Sequence, residues 1–461
     1  MPPQPDAEMD LMGTWIRGGI LTMLTFGAFW GGAIFTWRGT DRAPTTSDLV
    51  TYLFALPLAV LAGVLLVRRL ARTEPASASA AAAAAPATPV PVAAARLPAL
   101  ALVDAAVRLR HGDSIDELAA TIAAQRARPD LDPELVDDAG YPVMTVRVPS
   151  AADAAWRAGA EPWLAAQGHP DARFGEAHWR ALALASSVVD ELAGAALDAA
   201  DGTLLRIAPL APADWTAAQR TAAGAWLAHV AAQAGWDADK VTVSPAPPGE
   251  PAAAASALLS VLAGQAVTEP VLTLLLAFDS RIDQARVDRM AAEGTLFTAA
   301  HPQGLVPGEG AAGLLLAHAA HAAPTLQAAS TTRGASADAT PRADATDLRR
   351  LAERLLAETA VDASAVSALF ADADHRSNRV LEAMALAHDD LPHLDAGIDV
   401  RTTGPACGQS GAVAFLAALA LARHQAVEAA GAVLCVANND PIHRSVALVR
   451  PAGAAAAATV G

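Results

Sequence analysis

Residues 251–267, PAAAASALLSVLAGQAV, and residues 411–427, GAVAFLAALALARHQAV, decide the fold class. Each reads as a helix whose residues are apolar or small nearly all round. A helix with no polar face must be buried on all sides. Each follows Gly/Pro-rich sequence and each precedes a predicted strand. The two stand on either side of a low-complexity stretch, TLQAASTTRGASADATPRADA at 325–345. Two such helices in corresponding places predict a duplicated fold. The stretch between them reads as a domain boundary or as a loop joining two halves of one domain.

Working outward, short apolar runs predict strands at 272–278 (LTLLLAF), 313–316, 366–370, 432–437 (AVLCVA) and 445–449 (SVALV). The last two flank NNDPIHR. Helical stretches such as TDLRRLAERLLAETA (346–360) fall between them. This is an α/β alternation of buried strands and crossover helices. Residues 100–180 are the least legible part. They offer a strand at 143–148 and helical AEPWLAAQG and EAHWRALALA, either as the degenerate start of the first half or as a small separate module.

The N-terminal region reads differently. Residues 18–37 and 49–67 carry no charge, and each is long enough to cross a hydrocarbon core of ~30 Å as a helix. Arg17, Arg68, Arg69 and Arg72 lie outside this pair, against Arg38 and Arg42 between them, so the charge bias puts both termini inside. The expectation is a transmembrane hairpin over residues 1–72, anchored in the bacterial inner (cytoplasmic) membrane with both termini cytoplasmic. No charge lies within either run, which argues against a transport path. Residues 73–98, rich in Ala and Pro, read as a semi-extended linker. A cytosolic domain follows over 99–455.

Hydrophobic residues make up 53% of the 461-residue chain, much of it alanine, and the formal net charge is −16. That charge excludes nucleic acid as a partner, since phosphate binding needs a basic face. Two cysteines, Cys407 and Cys435, are too few for a disulfide scaffold, and a reduced setting is the simpler reading. No Walker loop, dinucleotide fingerprint or serine-hydrolase elbow is present, and no cofactor is expected. Asp372, Asp374, His375, His388, Asp390 and His393 match no compact zinc spacing; a solvated loop is the preferred reading of that stretch, and no metal is expected.

Four segments resemble the β-ketoacyl synthases of the thiolase-like superfamily. GLVPGEGAAGLLLA (304–317) is similar to the family's G-F-V-x-G-E-G-A-G-x-L-V-L. TGPACGQSGAVAFLAALALARHQAV (403–427) is similar to its second Gly-His turn and buried helix. VSALFADADHRSNRVLEAMAL (366–386) stands where the family has E-A-H-G-T-G-T. SALLSVLAGQAVTEPVLTLLLAFDS (256–280) resembles its first buried helix and the following strand. The resemblance spans roughly residues 180–452. It implies a five-layer duplicated α-β-α-β-α fold, with a first half over about 99–322, a linker at 323–345 and a second half over 346–455. It also implies a homodimer.

The resemblance implies three catalytic positions. A thiolate sits at the N-terminus of the first buried helix, where the helix dipole favours it, and two histidines assist. Here the nucleophile position falls near Ala254, and Ser256 is the nearest hydroxyl, one or two positions late. The second histidine maps to Gln409, which cannot shuttle a proton near neutral pH. The first survives as His375, but Arg376, Ser377, Asn378 and Arg379 replace the Gly-Thr-Gly-Thr after it, and ANNDPIHR (437–444) replaces the closing G-F-G-G-T-N loop. Cys407 is the alternative nucleophile, at the start of the second buried helix; a small buried residue in a turn is the competing account. Cys435 reads as core.

The function expected is therefore a catalytically inactive, membrane-anchored ketosynthase-like scaffold or interaction module, accessory to an envelope or secretion assembly. The alternatives are an active membrane-tethered acyl-condensing or acyltransferase enzyme and a non-catalytic acyl-CoA or acyl-carrier binder.

Overall fold

A computed structural model describes residues 98–151, 153–199, 204–244, 251–265, 271–318, 323–339 and 342–453. The first half of this region gives β1 (Leu100–Arg108), α1 (Ile115–Ala123), a hairpin of β2 (Asp130–Val136) and β3 (Pro142–Thr145), α2 (Ala154–Ala166), α3 (Glu176–Ala199), β4 (Leu204–Leu210), α4 (Ala217–Gln233), β5 (Val241–Val243), α5 (Pro251–Gln265), β6 (Val271–Ser280), α6 (Gln284–Ala292) and β7 (Glu309–His318). The second half gives β8 (Thr325–Thr332), α7 (Thr346–Thr359), β9 (Val366–Ala371), α8 (Ser377–Asp390), β10 (Val400–Thr402), the short α9 (Gly404–Cys407), α10 (Val413–Ala429), β11 (Ala432–Ala437) and β12 (His443–Arg450).

The large sheet runs β10-β9-β11-β12-β8-β1-β7-β6-β4-β5. Its halves meet where β1 and β8 pair antiparallel at Leu100↔Leu326 and Ala101↔Thr325. Read outward from that seam, the order is β1-β7-β6-β4-β5 on one side and β8-β12-β11-β9-β10 on the other. Each half places its strands in the same rank and the same direction: the outer three are parallel and the inner pairings antiparallel. The helices repeat as well. α5 and α10 each follow the outermost strand of their half and precede β6 and β11.

Alternation along the strands explains why LTLLLAF shows no polar face. Leu275 and Ala277 of β6 pack with α5 and α10 in one core. Leu274, Leu276 and Phe278 face the other way, against α3 and α4. In the second half, Phe370 and Cys435 join the α5/α10 core, and Leu369, Leu434 and Val436 pack with α7 and α8. Both faces of the sheet are covered, as central parallel strands require.

The sequence reading and the structure part company at several points. α10 is buried from Val413 through Ala422, but α5 is not buried all round: Ala257, Ser260, Val261 and Gly264 are exposed, Val261 by 51%. The low-complexity stretch opens with β8, so the linker expected at 323–345 begins instead with a strand held between β12 and β1. Its Thr, Ala and Ser side chains are small enough for that crowded central place. β1, which composition did not reveal, is the first half's innermost strand.

The expected bacterial inner-membrane location is corrected. No helix among the described residues is long and apolar enough to cross a membrane. α3 has the length, at 24 residues, but carries Arg180, Asp190, Glu191 and Asp198. α10 has the hydrophobicity but only 17 residues. The two uncharged runs at 18–37 and 49–67, and the linker at 73–97, lie outside the described residues. The envelope partners rested on the membrane placement and fall with it.

A buried ion pair ties the first half together. Glu309 at the start of β7 is fully buried and Arg180 of α3 nearly so. Arg180 donates from Nε to Glu309 Oε2 at 2.8 Å and from Nη2 to the Val148 carbonyl at 2.9 Å. Ser280 Oγ and the Val148 amide also donate to Glu309, at 2.8 and 2.7 Å. Each carboxylate oxygen therefore has partners. Removing the cation alone strands a buried charge, which costs about 3–5 kcal/mol. Arg180→Ala is expected to lower unfolding free energy in urea by that amount, whereas an exposed pair such as Arg350–Asp347 contributes under about 1 kcal/mol. Equal losses from Arg180→Ala and Arg350→Ala would contradict this account.

Candidate functional site

The positions singled out from sequence come from the α5 N-terminus, the β9–α8 loop, the α9–α10 turn and the β11–β12 loop. In α5, Ala254 and Ala255 are buried in the central core and present methyl groups only. Ser256 is also buried, and its hydroxyl bonds to the Ser445 hydroxyl of β12, so it is occupied in packing two elements together.

The α9–α10 turn is fixed by backbone. The Gln409 amide donates to the Val306 carbonyl at 2.8 Å, and Pro307 bridges to Gln409. The two segments approach so closely that a Cβ on Gly308 would strike the Cys407 carbonyl. Gly408 sits at φ 59°, a left-handed conformation open to glycine. Cys407 itself is fully buried in the central core. Burial, and then the nearby Asp372 carboxyl, push its thiol pKa far up. A protonated, inaccessible thiol is a poor nucleophile. Cys435 on β11 is likewise buried, with its thiol pKa pushed up by burial.

His375 lies in the β9–α8 loop with its ring edge-on to Phe297, centroids 4.9 Å apart. Its Nε2 is buried without a hydrogen-bond partner among the described residues. The loop around it is not the solvated segment expected. Asp372 and Asp374 are 3% and 6% exposed. Asp372 Oδ1 accepts from the amides of Asn438 and Asn439 at 2.7 and 2.9 Å. Asp374 holds Arg376 through Nε at 2.9 Å, and Arg376 Nη2 continues to Asn439 Oδ1 at 2.7 Å.

Sequence reasoning noted the two replaced loops but missed that they bond to each other. Arg379 and Arg444, one from each loop, are both fully buried. Arg379 donates to Asp338 Oδ1 at 2.6 Å and to the Asn439 carbonyl at 3.1 Å. Arg444 donates to Glu382 Oε1 at 2.7 Å, which also accepts from Arg333 at 3.1 Å. Asn438 Nδ2 donates to the Arg379 carbonyl at 2.8 Å. The available signal was the recurrence of Arg and acid at positions where the resembling family has Gly and Thr. Among the described residues, no group of three or more His, Cys, Asp or Glu is placed to hold a metal ion.

Together, Ala254, Gln409 and the two loops offer no thiol, two histidines, His375 and His443, and an ion-pair network that occupies both replaced loops. Burial raises the Asp372 pKa to about 6, against which the Asn438 and Asn439 amides and Arg444 pull it down. The unfolded value is about 3.9. Between these values the folded state keeps a proton that the unfolded state releases, so this group's contribution is full below about pH 4 and is lost as pH rises through about 6. Asp372→Asn keeps the acceptor and removes the titration. The variant is expected to match wild type near pH 4 and to exceed it by on the order of 2 kcal/mol at pH 7.5. Parallel urea-unfolding free energies for the two proteins across that range would refute the assignment.

No family model matches this chain, and no curated protein matches it. Solved structures do. The ishigamide ketosynthase/chain length factor is 19% identical with a TM-score of 0.50, covering 77% of this chain and 100% of its own. A β-ketoacyl synthase from Burkholderia phymatum STM815 is 13% identical with a TM-score of 0.53, covering 77% of this chain and 99% of its own. The AntDE ketosynthase, solved with the type II PKS acyl-carrier protein AntF and bound to the hexaketide, is 14% identical with a TM-score of 0.53 and the same 77% coverage, with 100% of its own chain. Residues 98–453 thus carry a mixed α/β fold whose large sheet matches the thiolase-like ketosynthases.

Proposed function

We propose that this chain is a catalytically inactive ketosynthase-like protein that serves as a scaffold or interaction module. Its sheet halves and helices are read as the five layers α-β-α-β-α, with α5 and α10 in the middle. The carrying observation is the pair of methyl groups, Ala254 and Ala255, at the α5 N-terminus, where acyl transfer needs a nucleophilic atom. Two further facts support it. The only thiols, Cys407 and Cys435, are buried and unfavourable to ionise. The loops that flank His375 are engaged in ion pairs among themselves rather than left open to a thioester.

Homodimerisation belongs to the same reading. The exposed stripe of Ala257, Ser260, Val261 and Gly264 leaves one face of a middle-layer helix uncovered, and a second copy of the chain supplies a matching face by symmetry.

Native protein treated with iodoacetamide at pH 8 is expected to remain unlabelled at Cys407 and Cys435 on intact-mass analysis, and to take up label at both after denaturation. Incubation with acyl-CoA or acyl-carrier protein is expected to leave no covalent acyl adduct. An acyl adduct on Cys407, lost in Cys407→Ser, would establish the enzyme reading and end this one. Acyl chains that co-purify without a covalent bond would instead favour a binding role.

A further inference from the structure

The repeat within the sheet gives the replaced catalytic loops a counterpart in the first half. Leu210 pairs with Ala277 across β4 and β6, as Ala371 pairs with Val436 across β9 and β11. Asp279, two residues past Ala277, therefore corresponds to Asn438. Asp214, four residues past Leu210, corresponds to His375. In the second half these strand ends are filled by the arginine network. In the first half they border a cleft of about 320 Å³, lined by Asp214, Asp279, Arg281, Arg286 and Arg289 among others. Crevices at the carboxyl ends of parallel strands are where open α/β sheets bind ligands.

The groups in this cleft are not equally engaged. Arg286 is held by Asp214 at 2.6 Å. Asp279 is only 3% exposed, and its Oδ1 is buried with no hydrogen-bond partner among the described residues. Its other oxygen meets Arg281 Nε at a long 3.4 Å. The two Nη groups of Arg281 donate to no other described residue, and the side chain is 30% exposed. A lone buried carboxyl oxygen thus stands beside a guanidinium whose fork is open. Leaving a buried acceptor unpaired costs free energy, and a guanidinium fork matches a carboxylate.

We propose that this cleft binds a small α-amino acid. The ligand's ammonium donates to Asp279 Oδ1, and its carboxylate accepts from the Nη groups of Arg281. The two protein groups touch each other, Arg281 Nε with Asp279 Oδ2 at 3.4 Å, so the ligand groups that pair with them must lie close together, as amine and carboxylate do on one carbon. Burial, which raises the Asp279 pKa, is offset by the incoming ammonium. The site stands apart from the catalytic positions discussed above and does not depend on their inactivity.

The test is isothermal titration calorimetry of the full chain with each of the twenty proteinogenic amino acids, with acetate and ethylammonium as one-ended controls. At least one amino acid is expected to bind, and both controls to bind at least about tenfold more weakly, as expected when one charged hydrogen-bonding partner is lost. Asp279→Asn and Arg281→Gln are each expected to weaken that binding by about tenfold or more, with circular dichroism and thermal melting confirming the fold. Should Asp279→Asn fail to fold, Arg281→Gln, on the half-exposed rim, decides alone. Failure of all twenty to bind, acetate binding as tightly as the amino acid, or unchanged affinity in the folded variants overturns the proposal.

Discussion

Dryness around α10 is the constraint on which the rest of the structure depends. From Val413 to Ala422 no side chain of this helix reaches solvent, so apolar surface must meet it on every side. A sheet covers only one side of a helix. The second half's β11 and β9 therefore cannot suffice, and the inner face of the first half, through Leu102, Leu275 and Leu314, completes the enclosure. This requirement brings two halves together that are joined directly at the short β1–β8 seam. Arg423, near the end of α10, adds a polar tether, donating from Nε to the Leu102 carbonyl at 3.2 Å and pairing with Asp104 at 3.1 Å.

Within the second half, the same enclosure changes the meaning of its charges. Arg379, Arg444 and Glu382 are removed from water, and buried ions are tolerated only when each finds partners. Glu382 of α8 pairs with Arg444, Asp338 pairs with Arg379, and the Asn439 carbonyl and side chain join the loop 437–444 to Arg379 and Arg376. A network of this kind resists piecemeal change: losing one member leaves the others charged and dry. It fixes the loops in place.

Much of this was legible before any coordinates. Strands flanked by helices on both faces must be apolar throughout, so LTLLLAF and AVLCVA announced themselves, and the G-E-G-A stretch at 308–311 marked where Glu309 is clamped. What escaped reading had physical causes. β1, LALVDAAVR, interrupts its apolar run with Asp104 because a bulge at 102–104 turns that side chain toward Arg423. Apart from Leu326, β8 is built of Thr, Ala, Ser and Gln, a composition also typical of linkers, and its strand character comes from neighbours on both sides. The exposure of α5 escaped because small residues fit a buried helix and an uncovered one equally well. The pairings within the arginine network escaped because partners stand about 40 to 60 residues apart in sequence, as Arg379 does from Asp338 and Asn439; the recurrence of Arg and acid was visible, but not which groups meet.

The two halves began with the same architecture and settled the same geometric problem differently. Parallel strands end together, and the chain leaving them must cross a crevice whose amides and side chains need partners. After β9 and β11, long side chains from the chain itself fill that crevice: Asp372 takes the amides of Asn438 and Asn439, and arginines occupy what remains. After β4 and β6, the chain is poorer in such groups. Pro212 and Ala213 stand where Ala373 and Asp374 stand in the second half, and neither can cap the opposing loop or hold an arginine as Asp374 does. Asp279 Oδ1 is thereby left with no hydrogen-bond partner among the described residues, and Arg281 meets Asp279 through Nε alone.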